Sequence, residues 1–193
     1  MEYPKTMYIS VAELERAPLP FDQPIAPGQI DFGLELHALL SLHTSGLAEV
    51  LHEHRGPGQV VADIRLRARY QAEVEVLCAR CLEPVRVALD QSFDLLFRPI
   101  GVDAIGDERS ISPSETEIGY YEKDGLLLED VLREQVLLSL PARTLCSESF
   151  KGLCAHCGCN RNTEACGCEA LPADPRWSAL RAVQDQMRSP DKP

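Results

Sequence analysis

Across residues 62–76 the chain alternates without a phase break. Ala62, Ile64, Leu66, Ala68, Tyr70, Ala72, Val74 and Val76 are separated by Asp63, Arg65, Arg67, Arg69, Gln71, Glu73 and Glu75. Strand side chains point to opposite faces at period 2, so this segment predicts one long strand, or two in register, with one face buried. A second run keeps the period through Val85, Val87, Leu89, Phe93, Leu95 and Phe97. Between the runs stand Cys78, Ala79, Arg80, Cys81, Leu82, Glu83 and Pro84, which puts a cysteine pair at the tip of a β-hairpin. Leu34, Leu36, Ala38, Leu40 and Leu42 alternate as well, and residues 47–54 read as a further strand stopped by Gly56, Pro57 and Gly58. The expected core is an antiparallel sheet of about four or five strands.

The flanks read differently. Residues 1–31 carry Pro4, Pro18, Pro20, Pro24 and Pro27 and suit an extended arm. A helical turn at 10–16 interrupts it, with Ser10 as cap and Glu13 three residues on. Pro99, Gly101, Gly106, Pro113 and Gly119 punctuate an acidic stretch, so 99–120 reads as a long loop. Over 126–138 the period changes, and Leu128, Val131, Leu132, Val136 and Leu138 suit an amphipathic helix that ends before Pro141. Asp174 as cap and Pro175 at the first helical position open a last helix striped by Trp177, Leu180, Val183 and Met187. The expected class is α+β: a mostly antiparallel β-sheet, one packed helix, a Cys-rich zinc-binding segment and a C-terminal helix. The expected divisions are an arm at 1–31, a sheet-and-helix core at 32–145, a metal-binding segment at 146–170, and a C-terminal helix with its tail at 171–193.

Charge narrows the partners. Against 30 acidic side chains there are 19 basic ones, a net charge of −11. Binding through phosphates releases counterions from Lys and Arg, so an RNA contact here needs a local basic patch. An acidic surface attracts a basic protein more readily. No apolar run approaches the roughly 20 residues that cross a bilayer. The start, Met-Glu-Tyr-Pro-Lys, lacks a basic segment followed by an apolar one, so the expectation is a cytoplasmic protein without a membrane partner. In that reducing compartment eight cysteines read as metal ligands or redox groups rather than disulfides.

Six of them crowd into residues 146–168: Cys146, Cys154, Cys157, Cys159, Cys166 and Cys168. Cys154 and Cys157, three apart and followed by Gly158, have the form of a zinc knuckle, because the glycine lets backbone amides approach the sulfurs. With Cys166 and Cys168 they make a compact four-thiolate zinc site. Cys78, Cys81 and Cys146 form a second group, with Cys159, His156 or water as the fourth ligand. A ribbon that joins Cys78 and Cys81 to Cys154 and Cys157 is an alternative that spacing leaves open. A Cys-x-x-Cys pair is also the thioredoxin-type dithiol, but that dithiol opens a helix whose dipole lowers the thiol pKa, and Cys78 ends a strand. Four cysteines also suit an iron–sulfur cluster.

Other groups carry less. Arg65, Arg67 and Arg69 share one strand face and either touch phosphates or pair with acids on neighbouring strands. His52 and His54 flank Glu53 near a strand end and read as surface positions. No phosphate cradle, nucleophile elbow or Ser–His–Asp spacing is present, so neither an enzyme nor a small-molecule substrate is expected.

Taken together, Cys78-Ala79-Arg80-Cys81-Leu82-Glu83-Pro84, Leu138-Ser139-Leu140-Pro141, Cys146, Lys151-Gly152-Leu153-Cys154-Ala155-His156-Cys157-Gly158, Cys166-Gly167-Cys168 and Asp174-Pro175-Arg176 resemble the YceD-like family of large ribosomal RNA subunit accumulation proteins. The resemblance covers roughly residues 30–188 and keeps the motif order. It implies an accessory role in accumulation or processing of large-subunit rRNA, with a ribosomal protein or the pre-rRNA as partner. A thiol-redox or iron–sulfur protein is the alternative. The family's cysteine-rich members carry another cysteine where this chain has Phe150, and Cys159 stands where cysteine is not usual. By that pattern Cys78, Cys81, Cys146 and the residue at 150 share a metal, so the second site here depends on Cys159 or His156 as replacement.

Overall fold

A computed structural model describes residues 7–56, 58–102, 118–149 and 151–168, together with 176, 180, 183 and 184. The chain divides into two compact units, Met1–Glu148 and Ser149–Pro193.

The alternating segment of the first unit is a single strand, β4 (Gln59–Leu77), flanked by β3 (Ala38–Gly56) and β5 (Pro84–Pro99). With β2 (Leu19–Ile25) and β6 (Ile118–Tyr121) these form a five-stranded sheet in the order β2-β3-β4-β5-β6, antiparallel except for the parallel β5–β6 pair. The even-numbered side chains of β4 are the buried ones, from Ile64 and Leu66 to Val74 and Val76. They line the core with Phe21, Ile25, Leu42, Leu89 and Phe97.

Helix α2 (Leu128–Leu138) supplies Leu128, Val131, Leu132 and Val136 to the same core. Burying one such side chain is worth about 2 kcal/mol. The helix begins two residues later than its periodicity suggests, because β7 (Gly125–Leu127) pairs with β1 (Tyr8–Ser10). Leu127 offers no side-chain cap, and the Leu128 N–H instead donates to Met7 O at 3.0 Å. Glu129, buried in the first turn, accepts from Met7 N at 2.8 Å and from Gln29 Nε2 at 3.1 Å. At the other end the Tyr70 hydroxyl donates to Gln135 O at 2.9 Å and lies 2.5 Å from Ser139 Oγ, which ties β4 to α2.

Three local readings change. The arm is built into the sheet: α1 (Val11–Leu14) has Ser10 as its cap, and β2 is an edge strand on β3. The two short strands expected at 34–42 and 47–54 are largely one strand, β3, which contains Ser45-Gly46 without a turn and carries a register shift between Leu39 and Ser41. Gly46 is there because β4 comes close: a Cβ on it would lie 2.3 Å from Arg67 O. The loop expected at 99–120 ends in β6, where the Tyr121 hydroxyl donates to Ala62 O at 2.7 Å. Residues 103–117 of that loop lie outside the described residues, as do Asp174, Pro175, Trp177 and Met187 of the C-terminal helix. Leu180 and Val183 are helical and exposed.

Where β3, β4 and β5 meet on the outward face, Arg98 and Asp63 have side chains only 4% exposed and form a two-pronged pair at 3.2 and 2.9 Å, with Glu53 as a further carboxylate on Arg98. Removing one partner of a buried pair leaves a poorly compensated charge. Asp63→Ala is expected to lower unfolding free energy by about 3 kcal/mol, and Tyr70→Phe by about 1 kcal/mol. Urea denaturation of the two variants checks that order.

Candidate metal centres

Two separate groups of thiols are present. In the first unit the sulfurs of Cys78, Cys81 and Cys146 lie within 4.8 Å of one another. In the second unit those of Cys154, Cys157, Cys159 and Cys166 do the same.

Strand β4 delivers the first group. Cys78 has the parity of the buried side chains and is 0% exposed, so its sulfur follows the core face beyond the strand end. The Cys78 N–H donates to Glu83 O at 2.8 Å, and the Leu82 N–H returns to Cys78 O at 3.0 Å. This closes a tight turn in which Leu82 takes φ of 61°. Cys146 joins through the following segment, where the Ala79 N–H donates to Thr144 O at 2.9 Å.

The second group repeats that backbone. The Cys154 N–H donates to Cys159 O at 2.9 Å, the Gly158 N–H donates to Cys154 O at 2.9 Å, and Gly158 has φ of 73°. Each turn therefore runs Cys-x-x-Cys with a left-handed residue four positions after the first cysteine. Each also sits on a hairpin, β4–β5 in one case and the single bridge Leu153–Asn160 in the other.

The turn aims amides at one sulfur. Burial opposes ionisation of Cys78, yet the amides of Arg80, Cys81 and Cys146 bring its pKa down to about 6. For Cys154 the amides of Cys157 and His156 dominate, and the pKa again falls to about 6. Three other thiols are shifted the opposite way. Burial, with hydrogen bonds to Cys81 and Cys78, pushes Cys146 up to about 11. A hydrogen bond to Cys157, then burial, pushes Cys159 up to about 12. Bonds to Cys157 and Cys154 push Cys168 up to about 12. The Cys168 amide holds Cys166 below its usual value, and the Arg161 guanidinium donates to the sulfurs of Cys166 and Cys154.

These donor sets suit a soft divalent ion. Zinc–sulfur bonds of about 2.3 Å in a tetrahedron place sulfurs about 3.8 Å apart. Cys81 Sγ and Cys146 Sγ are 3.7 Å apart, which is far too long for a disulfide. Both clusters could hold a metal ion.

The structure places the candidate thiols in two sets that differ from the sequence grouping at Cys159 and Cys168. Cys154, Cys157 and Cys166 come together as expected from their spacing, while Cys168 touches the sulfurs of Cys154 and Cys157 from outside the set of four. Cys159, expected beside Cys78, Cys81 and Cys146, lies with the second-unit thiols, because the Cys154–Cys159 turn folds it back onto its neighbours. His156 is exposed and belongs to neither set; it contributes its backbone amide. Arg161 was missed, and only its place between the cysteine pairs could have pointed to it.

The arginine ladder is paired. Arg65 holds Asp94 at 2.9 and 2.7 Å, Arg69 holds Asp90 at 2.7 and 2.6 Å, and Arg67 holds Glu49 at 2.8 Å. Hydrogen bonds from Arg69 and Arg65 keep Asp90 and Asp94 below the usual carboxylate range. His52 is exposed and bonded to Glu15 at 2.8 Å.

The family described as "Large ribosomal RNA subunit accumulation protein YceD" matches residues 66–184, a span that includes both turns and α2. The chain belongs to the YceD family. The family is named for a ribosome-related role. Uncharacterised proteins of Mycobacterium tuberculosis and Mycobacterium bovis are each 34% identical to this YceD chain over 103 residues, 53% of it and 47% of theirs. The match thus spans about half the length of those relatives. No solved structure matches. Among the described residues no helix is long and apolar enough to cross a membrane.

Leu82 holds without glycine the conformation that Gly158 holds with it, and a left-handed L-residue costs roughly 1–2 kcal/mol. Leu82→Gly is expected to retain the hairpin, whereas β-branched Leu82→Val should unfold at least about 1 kcal/mol more easily than Leu82→Gly. Thermal unfolding of the pair measures the difference.

Proposed function

We propose that this YceD chain is a non-enzymatic, zinc-binding accessory factor of the cytoplasm that serves large-subunit rRNA accumulation by docking onto a basic ribosomal protein. The observation that carries the reading is the repeated turn: two Cys-x-x-Cys segments share one backbone, with amides directed at the first sulfur. Cys78, Cys81 and Cys146 would hold one zinc; Cys154, Cys157, Cys166 and Cys159 would hold the other, with Cys168 as the competing fifth thiol. When bound, zinc cross-links segments that the unfolded chain does not hold together, and so stabilises the fold. The chain's own groups prepare for it. Amides stabilise Cys78 and Cys154 as thiolates, and Arg161 offsets the negative charge that several thiolates bring.

The choice of partner follows from the paired arginines. A phosphate reaching Arg65, Arg67 or Arg69 must first displace Asp94, Glu49 or Asp90. A net charge of −11 favours a basic protein over bare pre-rRNA. Neither Cys-x-x-Cys turn opens a helix, which weighs against a thioredoxin-type dithiol.

Two outcomes are expected. Purified protein is colourless and contains zinc, and Cys166→Ser lowers both zinc per chain and the thermal midpoint; brown protein containing iron would favour the cluster alternative. Affinity capture from growing cells retains a large-subunit ribosomal protein after ribonuclease treatment and loses it as salt rises. Loss on ribonuclease alone would reject the protein-docking reading in favour of RNA.

A further inference from the structure

The thiol set of the first unit has three sulfurs. Among the described residues no further cysteine, histidine, aspartate or glutamate completes it, and the Cys159 thiol lies with Cys154, Cys157 and Cys166. A structural zinc takes four protein ligands, whereas zinc on three protein ligands keeps an open position. The set is covered on one side and open on the other, since Cys78 is buried, Cys81 half-buried and Cys146 exposed. A groove of about 520 Å³ opens alongside. Its walls include Leu77 and Ala79, the two neighbours of Cys78, with Leu34, Arg143 and Thr144.

Charge selects the class of donor. Three thiolates already outweigh a divalent ion by one negative charge, and a fourth thiolate would add another. A neutral imidazole completes the tetrahedron without that cost and is a good ligand for zinc. Resting on the metal-binding reading above, we infer that the Cys78–Cys81–Cys146 site holds a divalent ion on three thiolates and keeps its fourth position for an imidazole donor from outside the chain. The second-unit set has no such vacancy, because five thiols compete for four positions there. The first-unit site is thereby a point at which a histidine-bearing ligand can be clasped through the metal.

The test uses cobalt as a visible probe on two full-length variants. Cys154→Ser/Cys157→Ser leaves the first-unit thiols intact, and Cys78→Ser/Cys81→Ser leaves the second-unit thiols intact. Each is loaded with cobalt(II) alone and then titrated with imidazole. The visible absorption of the first variant is expected to shift and to saturate at one imidazole per chain, while that of the second stays unchanged. An unchanged spectrum in a cobalt-loaded first variant overturns the proposal, because the chain then fills the position itself. A shift in the second variant overturns it too, as does failure of the first variant alone to take up cobalt. If neither variant binds cobalt, the metal-binding reading fails and this proposal fails with it.

Discussion

Strand β4 is the element on which the other placements depend. It is hydrogen-bonded to β3 on one side and β5 on the other along nearly its whole length. Its even-numbered side chains meet α2 and the strands of the core, so a one-residue slip would turn Ile64, Leu66, Tyr70 and Val74 out and Arg65, Arg67 and Arg69 in. The same parity carries past Leu77 and seats Cys78 inward. The first thiol of the first-unit set is thus positioned by the period that forms the hydrophobic core, and the cluster needs no separate scaffold.

The two turns show how one local geometry behaves on unequal supports. Around Cys78 the turn closes a hairpin of long strands, and Leu82 can be held at φ of 61° because the flanking ladder over-determines it. Around Cys154 the support is one bridge, Leu153–Asn160, and glycine occupies the left-handed position. Cys154 is also the one buried hydrophobic residue among the described residues of the second unit. A segment that buries so little apolar surface has few means of stability other than a metal, a disulfide or a partner. The turn at Cys154 therefore draws less support from the surrounding backbone pairing than the turn at Cys78.

Much of the first unit was legible because period 2 and period 3.6 each run unbroken there. Residues 62–76 and 85–97 gave a hairpin with cysteines at its tip, and 126–138 gave the packed helix. Errors arose where one residue type serves two physical purposes. Gly46 reads as a breaker, yet it admits the Arg67 carbonyl between paired strands. Pro20 and Pro24 suggest an extended arm, yet on edge strand β2 they share a parity, so both missing N–H groups fall on one side of a strand that has a neighbour on one side alone. Strand β6 is short and follows a long connection, so nothing local announces a parallel pairing. Among the cysteines, spacing identified the turns. It could not distribute Cys159, because five thiols within fifteen positions allow several four-membered sets.

The paired arginines resolve a tension between local and global charge. Arg65, Arg67 and Arg69 repeat on one face of β4 and repel one another unless acids intervene. Asp94 and Asp90 come from β5 and Glu49 from β3, each diagonal to its arginine in the paired strands, so the ladder is neutralised from both sides. Period 2 selects the face that is buried, and the ion pairs allow the arginines to share the other face without mutual repulsion. Exposed pairs of this kind contribute at most about 1 kcal/mol each. Having been used internally, these cations add little positive potential outside.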